Sequence, residues 1–373
     1  MKKRIIGVAI IAVSVAVCWI RFTRPGSTPI IAQAEQTVSP DSELDRHEAA
    51  TAPTGLEEAS ASSQPANSKF TTNQLVYSNL YSRVASGDIP QVSREKLEMY
   101  LAQSRRSVEA LLGAFRASND EALLAEAKEK FPDDPRVQFA AAFKTDSPEE
   151  RKQWLEKFKQ SDPDNALANY LLADDYSKAG QSEQALQEIR AAATKGGFEN
   201  YLVDFIQNAE EAYQAGGYSA AEAKTIASIA ALLPEQARLK AVGTDLVELA
   251  KRYQQAGDET SAQAMLQMGL DLGHRLDSSP QTTLIQELVG IAIERLALNA
   301  MNPIDPYGGT GQTVNDRLDA LTARRKGYQE LTRESSRLLE SMSDEDVAHY
   351  FDRVRLYGDV AAMRWVMNQS PQQ

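Results

Sequence analysis

From Phe70 onward, apolar residues recur every three or four positions and short polar segments separate the apolar stretches. This period is typical of helices that bury one face. Alternating runs bounded by Asn-Gly or Asp-Gly turns, which would predict strands, are missing from the sequence. The pattern therefore predicts an all-α fold. The predicted helices cover about 71–86, 93–103, 107–117, 121–131, 135–144, 148–160, 165–179, 182–194, 200–215, 219–231, 235–256, 259–275, 281–300, 313–341, 344–356 and 359–368.

Residues that cap helices precede several of these stretches. Asp120 precedes EALLAEAKEKF, and Ser147 precedes Pro148 and two glutamates. Ser343 precedes an Asp-Glu-Asp run in the same way. A serine or aspartate accepts a hydrogen bond from free amides of the first turn, and acids there face the positive end of the helix dipole. These residues predict three helix starts.

Two segments match each other at a fixed offset. Both present a large, a small and an aromatic residue on one helix, then a glycine turn, then a small, a large and a small residue. Small residues let two helices approach closely while the large ones fill the gaps. The pairs, in order, are Leu172 with Leu249, Ala173 with Ala250, Tyr176 with Tyr253, Gly180 with Gly257, Ala185 with Ala262, Ile189 with Leu266, and Ala192 with Gly269.

This spacing resembles the tetratricopeptide repeat, a helix–turn–helix unit of about 34 residues. Segments 165–193 and 246–270 look like two such units, and Pro163 stands where that family ends the previous unit. Around Tyr213 the chain looks like a degenerate copy. The resemblance implies an α-solenoid with degenerate repeats over 70–275 and a C-terminal helical cap over 276–373.

The same resemblance implies a function in binding rather than catalysis. In this repeat class the first helix of each pair lines a concave groove that holds a peptide or a partner helix. The implied groove residues are Tyr170, Asp174 and Ser177 in one unit, and Val247, Lys251 and Gln254 in the other. A clamp for a terminal carboxylate is not expected, because Asp174 stands where such clamps have asparagine. Residues 70–373 also resemble bacterial membrane-anchored proteins of this helical kind, which implies no activity.

The amino terminus carries a membrane signal. An uncharged apolar run, residues 5–20, follows Lys2, Lys3 and Arg4. Extended to Phe22, it spans roughly 27 Å as a helix, a little short of the thickness of a bilayer core. It fits a single-pass anchor, a cleaved signal peptide, or a lipoprotein signal acylated at Cys18. The basic residues before it place residues 1–24 as an anchor with its amino terminus in the cytoplasm and the rest outside, in a periplasm if the source is Gram-negative.

A different composition follows the apolar run. Residues 25–69 are rich in Pro, Ser, Thr, Ala, Gln and Glu, and they contain no aromatic residue. Such a segment cannot bury enough apolar surface to offset the entropy of ordering. We expect a flexible tether with a root-mean-square span of about 35–40 Å.

Composition excludes several classes of function. The formal net charge is −12, from 40 basic and 52 acidic residues, so nucleic acid is not an expected partner. One cysteine, Cys18, and three histidines, His47, His274 and His349, give no metal-ligand spacing. No nucleophile motif is present. The sequence therefore predicts no catalytic residue, no metal and no cofactor.

The segment 302–313 is the most distinctive loop of the helical part. It differs from a phosphate-binding loop because Gln312 replaces the lysine, Pro306 replaces the first glycine, and no strand precedes it. We interpret it as a turn ahead of a long helix, with an anion site at that helix start as the alternative. The helix, 313–341, would pack as a lid or form a dimer seam.

The leading hypothesis is thus a membrane-anchored, extracytoplasmic scaffold that binds a protein or peptide through a helical groove. Self-assembly of the chain into a homo-oligomer through helix 313–341 is the alternative. A third hypothesis is an enzyme with an unrecognised helical site. The sequence leaves open whether the helices form one superhelix or two blocks that meet near 275–280.

Overall fold

The structure, a computed structural model, describes residues 84, 87–231, 233–277, 282–309, 311–339 and 341–369. These residues are almost entirely helical, which confirms the predicted all-α class. The helices are α1 (Arg94–Gln103), α2 (Val108–Ser118), α3 (Glu121–Lys130), α4 (Pro135–Lys144), α5 (Pro148–Ser161), α6 (Leu167–Lys178), α7 (Ser182–Ala193), α8 (Leu202–Ala215), α9 (Ala220–Ile229), α10 (Glu235–Gln255), α11 (Glu259–Asp277), α12 (Leu284–Leu298), α13 (Val314–Leu339) and α14 (Asp344–Gln369). A short hairpin joins β1 (Pro306–Tyr307) to β2 (Gln312–Thr313).

The predicted membrane segment 5–20, the predicted tether 25–69 and nearly all of the predicted helix 71–86 lie outside the described residues. They stay predictions. Within the described ranges, each helix is too short or too polar to cross a bilayer.

The predicted caps form at the starts of three helices. Asp120 Oδ1 accepts a 3.0 Å hydrogen bond from the Ala122 amide at the start of α3. Ser147 Oγ accepts from the Glu150 amide at 3.2 Å, with Pro148 in the first turn of α5. Ser343 Oγ accepts from the Asp346 amide at 3.2 Å at the start of α14. Each bond satisfies an amide that has no partner within its own helix.

The two matching segments form two helix pairs. Helix α6 packs against α7, α10 packs against α11, and α6 packs directly against α10. Gly180 and Gly257 end the first helix of each pair with φ of 73° and 78°, the left-handed conformation that favours glycine. The buried members of the repeat pattern are Leu172, Ala173, Ala185, Ile189, Ala192, Ala250, Ala262, Leu266 and Gly269.

The pair α8–α9 follows α7 in the chain but packs elsewhere. Helix α8 packs against α2, and α9 packs against α14. The contact with α2 is close because Gly113 has no side chain, and a Cβ there would lie 2.2 Å from the Asn208 carbonyl oxygen. Lys224 of α9 bonds to Asp352 of α14 at 2.6 Å and to Glu210 of α8 at 3.1 Å.

The C-terminal part differs from expectation in one respect. The β1–β2 hairpin replaces the predicted plain turn, and its strands pair over only two positions each. Strands of two residues show no alternation, so the sequence pattern could not indicate them. The predicted break between 344–356 and 359–368 is confirmed, because Gly358 has φ of 78° and ψ of 167° and bends α14 there.

Candidate functional site

The predicted groove residues lie at and beside the contact between α6 and α10. Tyr170, Asp174 and Val247 are buried, with 2%, 1% and 4% of their surface exposed. Ser177 and Gln254 are half-buried, and Lys251 is exposed. Buried side chains cannot meet a partner in this arrangement, so only part of the predicted set faces solvent. Binding of a partner by these six residues stays a prediction.

The buried Asp174 belongs to an ion-pair network that joins α6 to α10. Arg238, near the start of α10, donates from Nε to Asp174 and from Nη2 to Asp175. Arg151 of α5 donates to Asp175 Oδ1 at 3.1 Å, and Lys178 lies 2.7 Å from Asp174 Oδ2. The two carboxylates are almost fully enclosed, with side-chain exposures of 1% and 4%. Arg238 bonds to both carboxylates, while Asp174 Oδ1 is enclosed without a hydrogen-bond partner among the described residues. Removing a partner from such an enclosed ion pair is costly.

A cleft opens beside this network, between the pair α6–α7 and α10. It encloses about 290 Å³. Ser177 donates to Asp245 Oδ2 across it, so one predicted groove residue does line a real concavity. Burial raises the pKa of Asp245, and the nearby Asp174 and Glu248 act in the same direction. Arg252 is exposed in the wall of the cleft, which therefore carries charges of both signs.

The other predicted residues of α10 lie along the same helix. Gln254 Nε2 donates to the Ala300 carbonyl oxygen at 3.3 Å, which ties the end of α10 to the end of α12. Lys251 is exposed and has no hydrogen bond or ion pair with any described residue. Val247 packs in the core. Of these three residues, only Lys251 is fully available to a molecule outside the chain.

A larger cavity, which we call the aromatic cavity, lies where α8–α9 folds against α2 and α4. It encloses about 450 Å³. Its interior is apolar, and its rim includes exposed Gln91, Asn119 and Lys144. The aromatic and alanine residues of its wall are Phe115, Phe139, Ala140, Phe143, Phe205, Ala209, Tyr213, Ala227, Ala230 and Ala231.

One cation stands in this apolar wall. Arg116 places its guanidinium carbon 4.0 Å from the centre of the Phe205 ring, a cation–π contact. Its Nε is enclosed and has no hydrogen-bond partner among the described residues. Burial lowers the pKa of Arg116 to about 10, against the opposing attraction of Glu235. The guanidinium is therefore still charged at neutral pH.

The carboxylate that acts on Arg116, that of Glu235, already accepts hydrogen bonds from other residues. Glu235 is 1% exposed. It accepts hydrogen bonds from Asn200 Nδ2 at 2.9 Å and from Gln236 Nε2 at 3.2 Å. Burial raises its pKa, although those bonds and Arg116 oppose the change. Glu235 and Arg116 thus attract each other through space, without a direct hydrogen bond.

Sequence reasoning missed the aromatic cavity. Phe139 and Phe143 are four residues apart on one helix, which indicates only that they share a face. Phe205 comes from a helix pair about sixty positions later. The cavity depends on α8 packing against α2 and on Phe205 of α8 meeting Phe139 of α4, and no local pattern in the sequence carries that information.

The loop 302–313 is held by a buried glutamate. Glu294 of α12 accepts from Tyr307 at 2.8 Å, from Arg317 Nε at 2.6 Å, and contacts His274 Nε2 at 3.1 Å. Burial alone would raise the pKa of Glu294, but these three bonds outweigh it and hold the pKa at about 2. At the start of α13 the Thr313 amide donates to Asp316 at 2.9 Å. One amide at the alternative anion site is therefore already bonded within the chain.

Among the described residues, no three His, Cys, Asp or Glu side chains gather as a metal site would require. Comparison with family models, with curated proteins and with solved structures found no match. Function is therefore inferred from these residues alone.

Proposed function

We propose that this chain is a membrane-anchored, extracytoplasmic scaffold that binds a partner protein or peptide through a tetratricopeptide-like array of helix pairs. The apolar run 5–20 and the polar segment 25–69 support the anchor and the tether. The direct packing of α6–α7 on α10–α11 supports the array. The proposal rests on this packing, because two helix pairs with matching sequences lie side by side, as neighbouring units of a repeat array do.

We further propose a place for partner binding, which the packing of the helices supports. Helix α2 is covered by α8, and Phe205 of α8 stacks on Phe139 of α4 with ring centres 5.9 Å apart. The cleft between α6 and α10 is not covered in this way. We therefore assign partner binding to that cleft, with Ser177, Asp245 and Arg252 in its wall and Lys178 and Lys251 nearby.

The test is chemical crosslinking of the full-length protein in its native membrane, followed by mass spectrometry. Lys178 and Lys251 are exposed near the cleft, and Lys326 is exposed on α13. We expect crosslinks from Lys178 and Lys251 to one other protein. Crosslinks confined to other copies of this chain, around Lys326, would contradict the proposal and favour self-assembly.

A matched pair of variants sharpens the test. Ser182→Trp places a bulky side chain at an exposed position of the cleft wall, and Gln263→Trp makes the same change at an exposed position on α11. We expect the first variant to lose the crosslinks to the partner and the second to retain them. Equal loss, or no loss, in both variants would remove the assignment to the cleft. A screen against common hydrolase substrates that gives turnover, abolished by a point mutation, would replace the scaffold with an enzyme.

A further inference from the structure

The aromatic cavity combines an apolar interior with one charged group. Phe139, Phe205 and Tyr213 are 3%, 2% and 1% exposed, so they form a dry wall rather than a surface patch. The volume of about 450 Å³ lies within the range of small-molecule sites. A site with a few polar groups in a mostly apolar lining is the usual form of such sites in proteins.

Arg116 is the unusual feature of this wall. A guanidinium has five N–H donors, and leaving a buried charge without acceptors is costly. Arg116 is half-buried, no described residue accepts a hydrogen bond from it, and its Nε is enclosed. The ring of Phe205 offers only a cation–π contact. The arrangement therefore lacks acceptors that a bound molecule would supply.

The charges at the rim agree with an anionic ligand. Lys144 lies 3.4 Å from Glu121 and donates to Asn119 Oδ1 at 3.1 Å, at the exposed edge of the cavity. Glu235 is the carboxylate that acts on Arg116 from within the protein, and its Oε1 already accepts from both Asn200 and Gln236. Because Glu235 offers Arg116 no direct hydrogen bond, it leaves the donors of the guanidinium available.

We propose that the aromatic cavity binds a small amphipathic carboxylate, with its carboxylate on Arg116 and its aromatic or aliphatic body against Phe115, Phe139 and Phe205. A guanidinium matches the two oxygens of a carboxylate in a bidentate geometry. The offset and edge-on packing that aromatic rings prefer favours an aryl body. This site is separate from the cleft between α6 and α10, so it does not depend on the proposed partner.

The test compares an acid with its uncharged analogue. Binding of 4-phenylbutyrate and of 4-phenylbutyramide is measured by calorimetry on the full-length protein in lipid nanodiscs, with empty nanodiscs as the background. We expect the acid to bind at least roughly tenfold more tightly than the amide, since hydrogen bonds to a charged group are the stronger kind. Equal affinities, or no binding of the acid at millimolar concentration, would overturn the proposal.

Variants separate the charge from the cavity. Arg116→Gln removes the charge and is expected to abolish the preference for the acid. Arg94→Gln, which changes an arginine on the exposed face of α1, is expected to leave it intact. Ala230→Phe fills part of the cavity while keeping Arg116, and is expected to weaken both ligands. If Arg116→Gln does not fold, retention of full acid binding by Ala230→Phe would still overturn the proposal.

Discussion

The helix pairs α6–α7 and α8–α9 follow each other in the chain, but only the first joins α10–α11. Arg238 of α10 finds two buried aspartates on α6. Helix α8 instead meets α2 at Gly113, where the backbones approach closely. A pair with the right helical period therefore does not have to occupy the next place in an array. The side chains at each joint decide which pair becomes its neighbour.

Three tyrosines show the same difference. Tyr176, Tyr213 and Tyr253 are 37 and 40 residues apart, close to the length of one repeat. Tyr176 and Tyr253 are half-buried at the ends of α6 and α10. Tyr213 is 1% exposed and donates from its hydroxyl to the Pro90 carbonyl oxygen at 3.0 Å. Despite the similar spacing in sequence, Tyr213 therefore lies in a different environment from Tyr176 and Tyr253.

Removing Arg238, the cation between α6 and α10, is expected to lower the unfolding free energy the most. Arg238→Ala leaves Asp174 and Asp175 enclosed with one cation fewer, and such a loss costs about 3–5 kcal/mol of unfolding free energy. Urea denaturation measures this change. Arg252→Ala, at an exposed position of the same helix, should stay within about 0.5 kcal/mol of the parent. Similar values for the two variants would show that the network does not hold the joint.

Disturbing the contact between α8 and α2 is expected to have the second-largest effect on stability. Gly113→Ala adds a Cβ that would lie 2.2 Å from the Asn208 carbonyl oxygen, so the helices must move apart. We expect a loss of about 1–3 kcal/mol, the usual range for overpacking. Gly327→Ala in α13 is the control, since nothing lies within 4 Å of a Cβ there. It should stabilise the protein by about 0.5–1 kcal/mol, because alanine favours a helix interior. We therefore expect Gly113→Ala to lower the unfolding free energy and Gly327→Ala to raise it.

A smaller effect tests α9 by itself. Ser219 accepts from the Glu222 amide at 3.3 Å, and Glu222 Oε2 accepts from the Ser219 amide at 2.8 Å. Ser219→Ala should cost about 1 kcal/mol. In hydrogen exchange, amides of α9 should lose protection while those of α6 keep theirs. Ser182→Ala serves as the control, since α7 has no side-chain cap bond at its start. Uniform loss across both helices would contradict separate behaviour of the pairs.

The smallest expected effect depends on pH. Burial raises the pKa of Asp245 above 3.8, so its stabilising contribution is complete below pH 3.8 and is lost as pH rises through the folded-state pKa. Asp245→Asn has no ionisable group at this position, so it does not lose stability as pH rises. We expect the variant to be more stable than the parent at pH 7 and unchanged at pH 3, measured by thermal unfolding. A variant less stable than the parent at pH 7 would show that the bond to Ser177 dominates.

The sequence was sufficient for the helices and their caps, because a period of three or four residues and a capping serine are local signals. It also indicated that the segments around Tyr176 and Tyr253 form similar pairs. It did not indicate that α10 would lie on α6, since Arg238 and Asp174 are 64 residues apart and no local pattern joins them. Three of the six predicted groove residues, Tyr170, Asp174 and Val247, are buried, and Asp174 is bonded to Arg238 of α10.

The most direct test of this account is whether α6 and α10 are neighbours. Cys18 is the chain's one cysteine, so Cys18→Ser gives a clean parent for Ser177→Cys with Asp245→Cys. With a bis-maleimide linker shorter than one helix diameter, about 10 Å, we expect efficient crosslinking within one molecule. Ser177→Cys with Gln207→Cys, on an exposed position of α8, should not crosslink. If α8 instead lay between α6 and α10, those two helices would be about 16–20 Å apart. Crosslinking of the second pair but not the first would then contradict the account.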